Sequence, residues 1–387
     1  MTMAPNATTF APTTPTPSCT LIPQTPFIPF LSDNVLAIIL PTVVYAVAGG
    51  FFHLLDSCSL FSYWRIHPSK EDIKRNHVTR WQCLQTVIRY HLMQISIGLL
   101  MNHLAGNKPT MTGDETCRIH RAAETISYTR KLVPMALNIV GIDAKRVGIA
   151  MEGTNAGLAQ VLAGDYLSSG PIQGFTAFEL SLAKVVVSVG VPMLQFFVAL
   201  AVVDTWIYFT HRLCHINKTL YRIVHAQHHR LYVSYAYGAV YGHWLETLFL
   251  DILSFVLAGE IAQLSARQSM LFSSFATIKT ISDHCGYVFP WDPFRLVNNN
   301  GAVFHDLHHQ SWGLKYNFST YTVFWDNLLG TTWADKEGAD KRYQRVWELT
   351  AKRSQSSDKD LAITADRSTE RIVAEGMKLY EHESSKE

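Results

Sequence analysis

The sequence predicts an all-α fold: a multi-span integral membrane protein whose helices lead into a histidine-rich region beyond the last crossing. Three observations carry this. Residues 35–55 read VLAIILPTVVYAVAGGFFHLL, 21 residues without a charge; at ~1.5 Å rise per residue a helix of that length spans the ~30 Å hydrocarbon core of a bilayer. A second uncharged run of 19 residues lies between Lys184 and Asp204. Charged residues make up only 17% of the 387-residue chain, against a usual ~25%. With 12% aromatics, that deficit excludes a disordered or acidic solvating chain.

The elements follow in order. Residues 1–30 hold seven of the 15 prolines and eight threonines, and no Lys or Arg occurs before Arg65. A secretory signal needs a basic start, so this stretch is expected to be a flexible uncharged tail. It contains the sequon Asn6-Ala7-Thr8, which matters only if the tail faces a lumen. Residues 31–106 are expected to form two transmembrane helices with a basic loop between them. Pro41 is compatible with the first, because neighbouring helices re-satisfy the freed carbonyl. The second, Trp81 to Leu104, is interrupted by Arg89 and glutamines. The loop carries Arg65, Lys70, Lys74, Arg75 and Arg80, which by the positive-inside rule makes it cytosolic and leaves the N-terminus outside.

Residues 107–170 are mixed in character and read as an amphipathic or loop-rich insertion without an assigned role. Residues 171–333 open with the third crossing, so everything after Asp204 is expected in the cytosol. Two shorter apolar runs, Leu245–Leu264 and Met270–Ile281, predict a tilted or re-entrant helical hairpin. Residues 334–387 read as a polar C-terminal tail. The net charge of +2 is spread over the chain, which argues against a nucleic-acid partner. Six cysteines lie far apart with no CxxC pair, which speaks against a disulfide scaffold or a zinc finger.

Ten of the 17 histidines fall between 211 and 309, and they are patterned. His211 and His215 form HxxxH; His225, His228 and His229 form HxxHH; His305, His308 and His309 form a second HxxHH. His243 and His284 stand between the boxes. On a helix, positions i, i+3 and i+4 share a face, so each box aims its imidazoles together. Neutral imidazole is a common ligand for zinc, iron and copper. Ten ligands exceed any single site, whereas two five- or six-coordinate ions with open positions need about eight to ten. A bimetallic centre is expected, with iron as the metal whose open positions activate O₂. Zinc can replace iron on overexpression, since affinity favours it. Neutral ligands cancel no metal charge, so nearby carboxylates should compensate and orient the rings. Asp204, seven residues before His211, and Asp306, inside the last box, are the leading candidates; Asp283 and Asp326 are further ones.

The boxes in this order resemble the membrane fatty-acid hydroxylase and sterol desaturase superfamily. DTWIYFTHRLCHINKTLYRIVHAQHHRLYVSYAYGAVYGHWLE (204–246), DHCGYVFPWDPF (283–294), NNNGAVFHDLHHQSWGLKYNFS (298–319) and WRIHPSKEDIKRNHVTRWQ (64–82) are similar to its fungal sphinganine C4-hydroxylase branch. The resemblance covers about residues 60–333 outside the middle of the insertion. It implies a multi-pass endoplasmic-reticulum enzyme with its boxes facing the cytosol and a histidine-liganded di-iron centre. Such an enzyme uses O₂, takes electrons from cytochrome b5 and its NAD(P)H reductase in trans, and hydroxylates a long-chain sphingoid base from sphinganine to 4-hydroxysphinganine. The eight box histidines take the family's box roles, and His243 and His284 match its isolated ligands. In two places the chain departs from the pattern: Trp244 stands where the family often has Pro, and Thr280 where some branches add a histidine. Sterol C4-methyl oxidation and desaturation are the enzymatic alternatives, since one centre supports all three outcomes. A membrane metal transporter is the non-enzymatic one, and the absence of an internal repeat speaks against it.

Overall fold

The computed structural model describes residues 19–67, 75–107, 109–164, 174–298 and 300–357. Its elements in chain order are β1 (Leu21–Pro23), α1 (Asp33–Ser57), α2 (Arg80–Leu104), β2 (Met111–Gly113), α3 (Glu115–Ser127), α4 (Thr129–Ile139), α5 (Ala144–Glu152), α6 (Ala156–Ala163), α7 (Ala177–Ile216), α8 (Leu253–Ala262), α9 (Ala266–His284), α10 (Ala302–His309) and α11 (Lys336–Ser357). The chain is thus mostly helical. The departure from all-α is one two-stranded antiparallel pair, β1 with β2. Two compact units divide these elements: residues 1–27 with 109–195, and residues 28–108 with 196–387.

In the larger unit, α1 starts at Ser32, whose side chain accepts from the Val35 N–H, and runs 25 residues through Pro41. It packs along α9, and Asp33 near its start is paired with Arg267 at 2.8 Å. α2 opens with a reciprocal cap between Thr79 and Gln82, which satisfies two backbone donors left over at a helix start. α1 and α7 are long and apolar enough to cross a membrane, and their apolar side chains are largely uncovered. Val43, Val47, Phe51 and Leu54 form an exposed stripe on α1, and Val185, Val189, Met193 and Phe197 do so on α7. A soluble core helix hides such a stripe. The chain is a membrane protein. α2 shows a comparable stripe at Trp81, Leu84, Ile88, Leu92 and Leu99.

Two buried clusters support the histidine region. One joins Tyr45, Leu55, Cys83 and Val87 to Leu231, Tyr235, Tyr241, Ile281 and Tyr287. The other joins Ala199, Val203 and Ile207 of α7 to Ala258, Phe272, Ala276 and Tyr321. The expected hairpin is present as α8 and α9, turned by Gln263 in the left-handed region and capped by Ser265 with Gln268.

Residues 334–357 differ from the polar tail expected of them. α11 buries Ala339 and lays Tyr343 and Trp347 inward, the Trp347 indole N–H reaching the Ile66 carbonyl at 3.2 Å. Those positions share one helix face, a stripe too sparse to stand out among charged neighbours. Residues beyond 357 lie outside the described ones, as do residues 1–18 with the Asn6 sequon and residues 68–74 with Lys70 and Lys74.

In the smaller unit the stretch expected to be an amphipathic or loop-rich insertion is built from α3, α4, α5 and α6, of which α4 exposes Leu132, Met135 and Ile139. Residues 165–170, its C-terminal end, lie outside the described ones. Residues 19–27, assigned to the tail, instead enter structure: Leu21 pairs with Gly113, Ile22 with Thr112 and Pro23 with Met111.

Candidate metal centre

Nine of the ten singled-out histidines converge into two adjacent sets. His211, His215, His225, His229 and His308 form the first, and His228, His284, His305 and His309 the second; within each, one ring nitrogen per residue lies within 4.8 Å of the others. His211 and His215 sit one turn apart at the end of α7, and His305, His308 and His309 lie on α10. The middle box is not α-helical: Tyr221–His225 is a π-turn and His228–Arg230 a 3₁₀ turn.

Each HxxHH box is split rather than aimed as a unit. In the middle box His225 and His229 enter the first set while His228 enters the second; in the last box His305 and His309 enter the second while His308 crosses to the first. At ~100° per residue, i and i+4 are about 40° apart on a helix while i+3 lies about 60° to the other side. A box placed between two sites therefore feeds i and i+4 to one and i+3 to the other. The two sets share a wall, with the His225 and His228 rings 5.3 Å apart and those of His229 and His309 4.8 Å apart.

The hydrogen bonds at the back of the rings decide their tautomers. Nδ1 of His211 meets the Phe318 carbonyl at 2.8 Å, that of His228 the Tyr241 carbonyl at 2.9 Å, and that of His284 the Thr280 carbonyl at 2.8 Å. Nδ1 of His308 meets the Tyr316 carbonyl at 2.7 Å and that of His309 the Leu231 carbonyl at 2.9 Å. A carbonyl only accepts, so each Nδ1 carries the proton and each Nε2 presents a lone pair. The Nε2 lone pairs of His211, His284 and His309 point at the Nε2 of a further ring: His211 and His225 approach at 3.0 Å, His284 and His305 at 2.9 Å, and His305 and His309 at 3.0 Å, with His225 and His229 also 3.0 Å apart. Among the described residues His308 Nε2 is buried without a hydrogen-bond partner.

Facing acceptors repel unless a cation lies between them. Ligands ~2.1 Å from an ion and at right angles to each other stand about 3.0 Å apart, the spacing found here. The residues fit a metal pair with five and four protein donors, leaving positions open at each. Burial pushes the His225 imidazole down to about 3. Burial, then neighbouring rings, holds His229, His305 and His309 well below the usual range. These rings are therefore neutral, as ligands must be.

His243 is brought into neither set. Its Nδ1 accepts from the Leu245 N–H at 3.3 Å, so the ring caps the short helix Trp244–Glu246. Nine of the ten candidate ligands are thus brought together.

The carboxylates act at one remove from the rings. Asp204 accepts from the backbone N–H groups of Tyr321 and Thr322, each at 3.0 Å, and from the Thr322 hydroxyl. Asp326, fully buried, accepts from the N–H groups of Phe318 and Ser319 at 3.1 and 2.7 Å. Together they pin the segment 316–322, whose carbonyls hold His308 and His211. Asp306 faces away from the ring nitrogens: it accepts from His67 Nε2 at 2.8 Å and from the Tyr343 hydroxyl at 2.7 Å, fastening α10 to the first loop and to α11. Asp283 is engaged by Lys279 at 2.6 Å.

Sequence reasoning missed Glu246, whose Oε1 accepts from His225 Nδ1 at 2.7 Å. It is the carboxylate that touches a ligand ring. An acid at the start of an apolar run, three residues after a histidine, was the available signal. His67 was missed as well, although it lies in the quoted first-loop stretch.

Fold and site together define a helical membrane protein with two adjoining histidine clusters that fit metal ions. The fatty acid hydroxylase family model matches residues 196–331. A sphingolipid C4-hydroxylase of Saccharomyces cerevisiae is 35% identical over 332 residues, 85% of this chain and 80% of that one. A sphingolipid C4-hydroxylase of Schizosaccharomyces pombe is 34% identical over 299 residues, 76% of this chain and 87% of that one. Sphinganine C4-monooxygenase 2 of Arabidopsis thaliana is 51% identical over 138 residues, 35% of this chain and 53% of that one. No solved structure matches. The chain belongs to the fatty acid hydroxylase family.

Proposed function

We propose that this protein is a monooxygenase that hydroxylates a long-chain sphingoid base at C4, turning sphinganine into 4-hydroxysphinganine at a di-iron centre. The observation that carries the chemistry is the pair of facing Nε2 sets, nine neutral donors with open positions. The names of the relatives support the substrate. When bound, the iron pair supplies O₂ activation and oxidation of an unactivated C–H bond. The protein's own groups do the rest. Backbone carbonyls of residues 231, 241, 280, 316 and 318, together with Glu246, hold the imidazole protons outward and the lone pairs inward. Uncovered apolar stripes on α1, α2 and α7 keep the protein in the bilayer, where a lipid chain is presented. The depth of the centre below the head group then selects the methylene.

We place the protein in the endoplasmic-reticulum membrane. α1 enters the cytosol, α2 returns and α7 enters again, so that the boxes are cytosolic. Electrons come from cytochrome b5 and its reductase, steered by basic side chains at the exposed Arg222 and Arg230. Arg212 is half-buried and donates to the Tyr208 hydroxyl at 3.3 Å instead. Purified enzyme supplied with NADPH alone is expected not to turn over; activity without the partners would remove this donor scheme.

Complementation tests the reaction. In a yeast lacking its own sphinganine C4-hydroxylase, the full chain is expected to restore 4-hydroxylated long-chain bases, measured by mass spectrometry. Stable, metal-loaded protein without them rejects the substrate, and oxidised sterols in the same extracts would move the reading to a C4-methyl oxidase.

A further inference from the structure

Cys19 and Cys117 are joined by a disulfide, with their Cα atoms 5.4 Å apart, inside the range such a bridge requires. The pairing is flanked by backbone hydrogen bonding between the same two segments. β1 and β2 run antiparallel, and the Asp114 N–H meets the Thr20 carbonyl at 3.3 Å, next to the bridge. The remaining cysteines, Cys58, Cys83, Cys214 and Cys285, are free. The hydroxylation proposed above uses none of them.

A disulfide persists where the compartment is oxidising and is lost where glutathione and thioredoxin hold thiols reduced. Position along the chain sorts these cysteines the same way. Cys19 precedes α1, and Cys117 lies between α2 and α7. On the crossing order given above, both segments are outside the cytosol. Cys58 follows the cytosolic end of α1 and Cys214 lies near the cytosolic end of α7. The two cysteines that bond are the two that the crossing order puts on the oxidising side.

We propose that Cys19 and Cys117 form a lumenal oxidation site, a covalent clasp that ties the segment before α1 to helix α3 across 98 residues of sequence. The clasp rests on the membrane crossing order of the preceding reading and is independent of its substrate. Cys19 is exposed and Cys117 is buried, so Cys19 is the thiol that an oxidant reaches. The oxidant is a protein dithiol oxidoreductase in its disulfide form. The Cys19 thiolate attacks that disulfide, forms a mixed disulfide and releases one oxidant thiolate. The Cys117 thiolate then attacks the Cys19 sulfur and expels the second. The cysteine pair loses two electrons and two protons, and the oxidant gains both as a dithiol.

The full-length chain in isolated microsomes provides the test. Free thiols are blocked with N-ethylmaleimide under denaturing conditions; the sample is then reduced, and newly exposed thiols are labelled with a polyethylene-glycol maleimide. The wild type is expected to acquire two labels after reduction, Cys19→Ser and Cys117→Ser none, and Cys58→Ser two. A wild type with no label after reduction overturns the clasp, and so do two labels that persist in Cys19→Ser or Cys117→Ser. Where a serine variant does not accumulate, the wild type and Cys58→Ser decide between these outcomes. Long-chain bases from the same membranes separate the readings. 4-Hydroxylated product with unlabelled cysteines removes the clasp alone. Two labels with no product removes the substrate assignment alone.

Discussion

A neutral imidazole ligates through Nε2 only when its proton sits on Nδ1, and five backbone carbonyls and one carboxylate hold it there on six of the nine rings. The consequence is sharpest for two residues drawn from the two HxxHH boxes. His228 and His308 both occupy the i+3 position, yet they serve opposite sets. His228→Ala should lower the metal content by emptying the second set, and His308→Ala by weakening the first. Both should abolish hydroxylation and lower thermal stability, because metal affinity couples to folding. Elemental analysis of each variant and of the double variant checks this. If the double variant retains as much metal as either single one, the two residues share one site. Glu246 offers a finer test. Glu246→Gln keeps an oxygen that accepts from His225 Nδ1, whereas Glu246→Ala leaves the ring unanchored, so alanine should cost ~10–100-fold in metal affinity and glutamine clearly less. Equal losses would mean that charge rather than ring orientation is what Glu246 supplies. Apart from His243, the histidines that gather into the two sets are legible as candidates in the sequence, because histidines at short spacing are rare. Their division between two sites is not, since it depends on what the i+3 side chain faces.

Elements differ in how plainly the sequence announces them. α1 and the stretch 185–203 of α7 are uncharged apolar runs, except for Asp33 and Asp56 near the ends of α1, and both helices are long enough to cross a bilayer. α10 follows from HxxHH at helical spacing. The middle box has the same spacing and the same split but folds as π and 3₁₀ turns, so spacing alone does not fix its backbone. α11 was read as tail, since its buried stripe is diluted by charge. The segment 316–322 has no periodic signal at all, yet it orients two ligands and is pinned by Asp204 and Asp326 from elements far away in sequence. The loop leading into it requires Gly313: a Cβ there would lie 1.9 Å from the Leu307 carbonyl oxygen, which α10 cannot move without shifting the last box. Gly313→Ala is expected to cost about 1–3 kcal/mol, the usual range for overpacking, and to lower metal content with it. Gly259→Ala on α8, where a Cβ meets open space, should leave both unchanged. A thermal melt and elemental analysis of the pair read the difference; equal behaviour would show that the loop yields.

At the scale of the whole molecule the sequence predicts three crossings and a cytosolic first loop; among the described residues two helices, α1 and α7, are long and apolar enough to cross a membrane. The sequence could not carry the β1–β2 pairing, which joins segments separated by two helices and a basic loop. Sidedness is what remains to be measured, and the chain contains its own reporters. Three sequons occur: Asn6-Ala7-Thr8, Asn217-Lys218-Thr219 and Asn317-Phe318-Ser319. Glycan transfer happens only in the lumen and only to an accessible asparagine. Asn317 is buried, its amide donating to the Phe304 carbonyl at 3.0 Å and its oxygen accepting from the Trp333 N–H at 2.9 Å, so it is closed on either side of the membrane. Asn217 is exposed and caps the turn after α7; with α7 entering the cytosol, it stays bare. Asn6, outside the described residues, precedes α1 by enough chain to be reached if the N-terminus is lumenal. Endoglycosidase treatment of the full chain from microsomes should therefore remove one glycan, and Asn6→Gln should abolish the shift while Asn217→Gln leaves it intact. A glycan that disappears instead with Asn217→Gln would turn α7 around and put the histidine boxes on the lumenal side, away from a cytosolic electron donor.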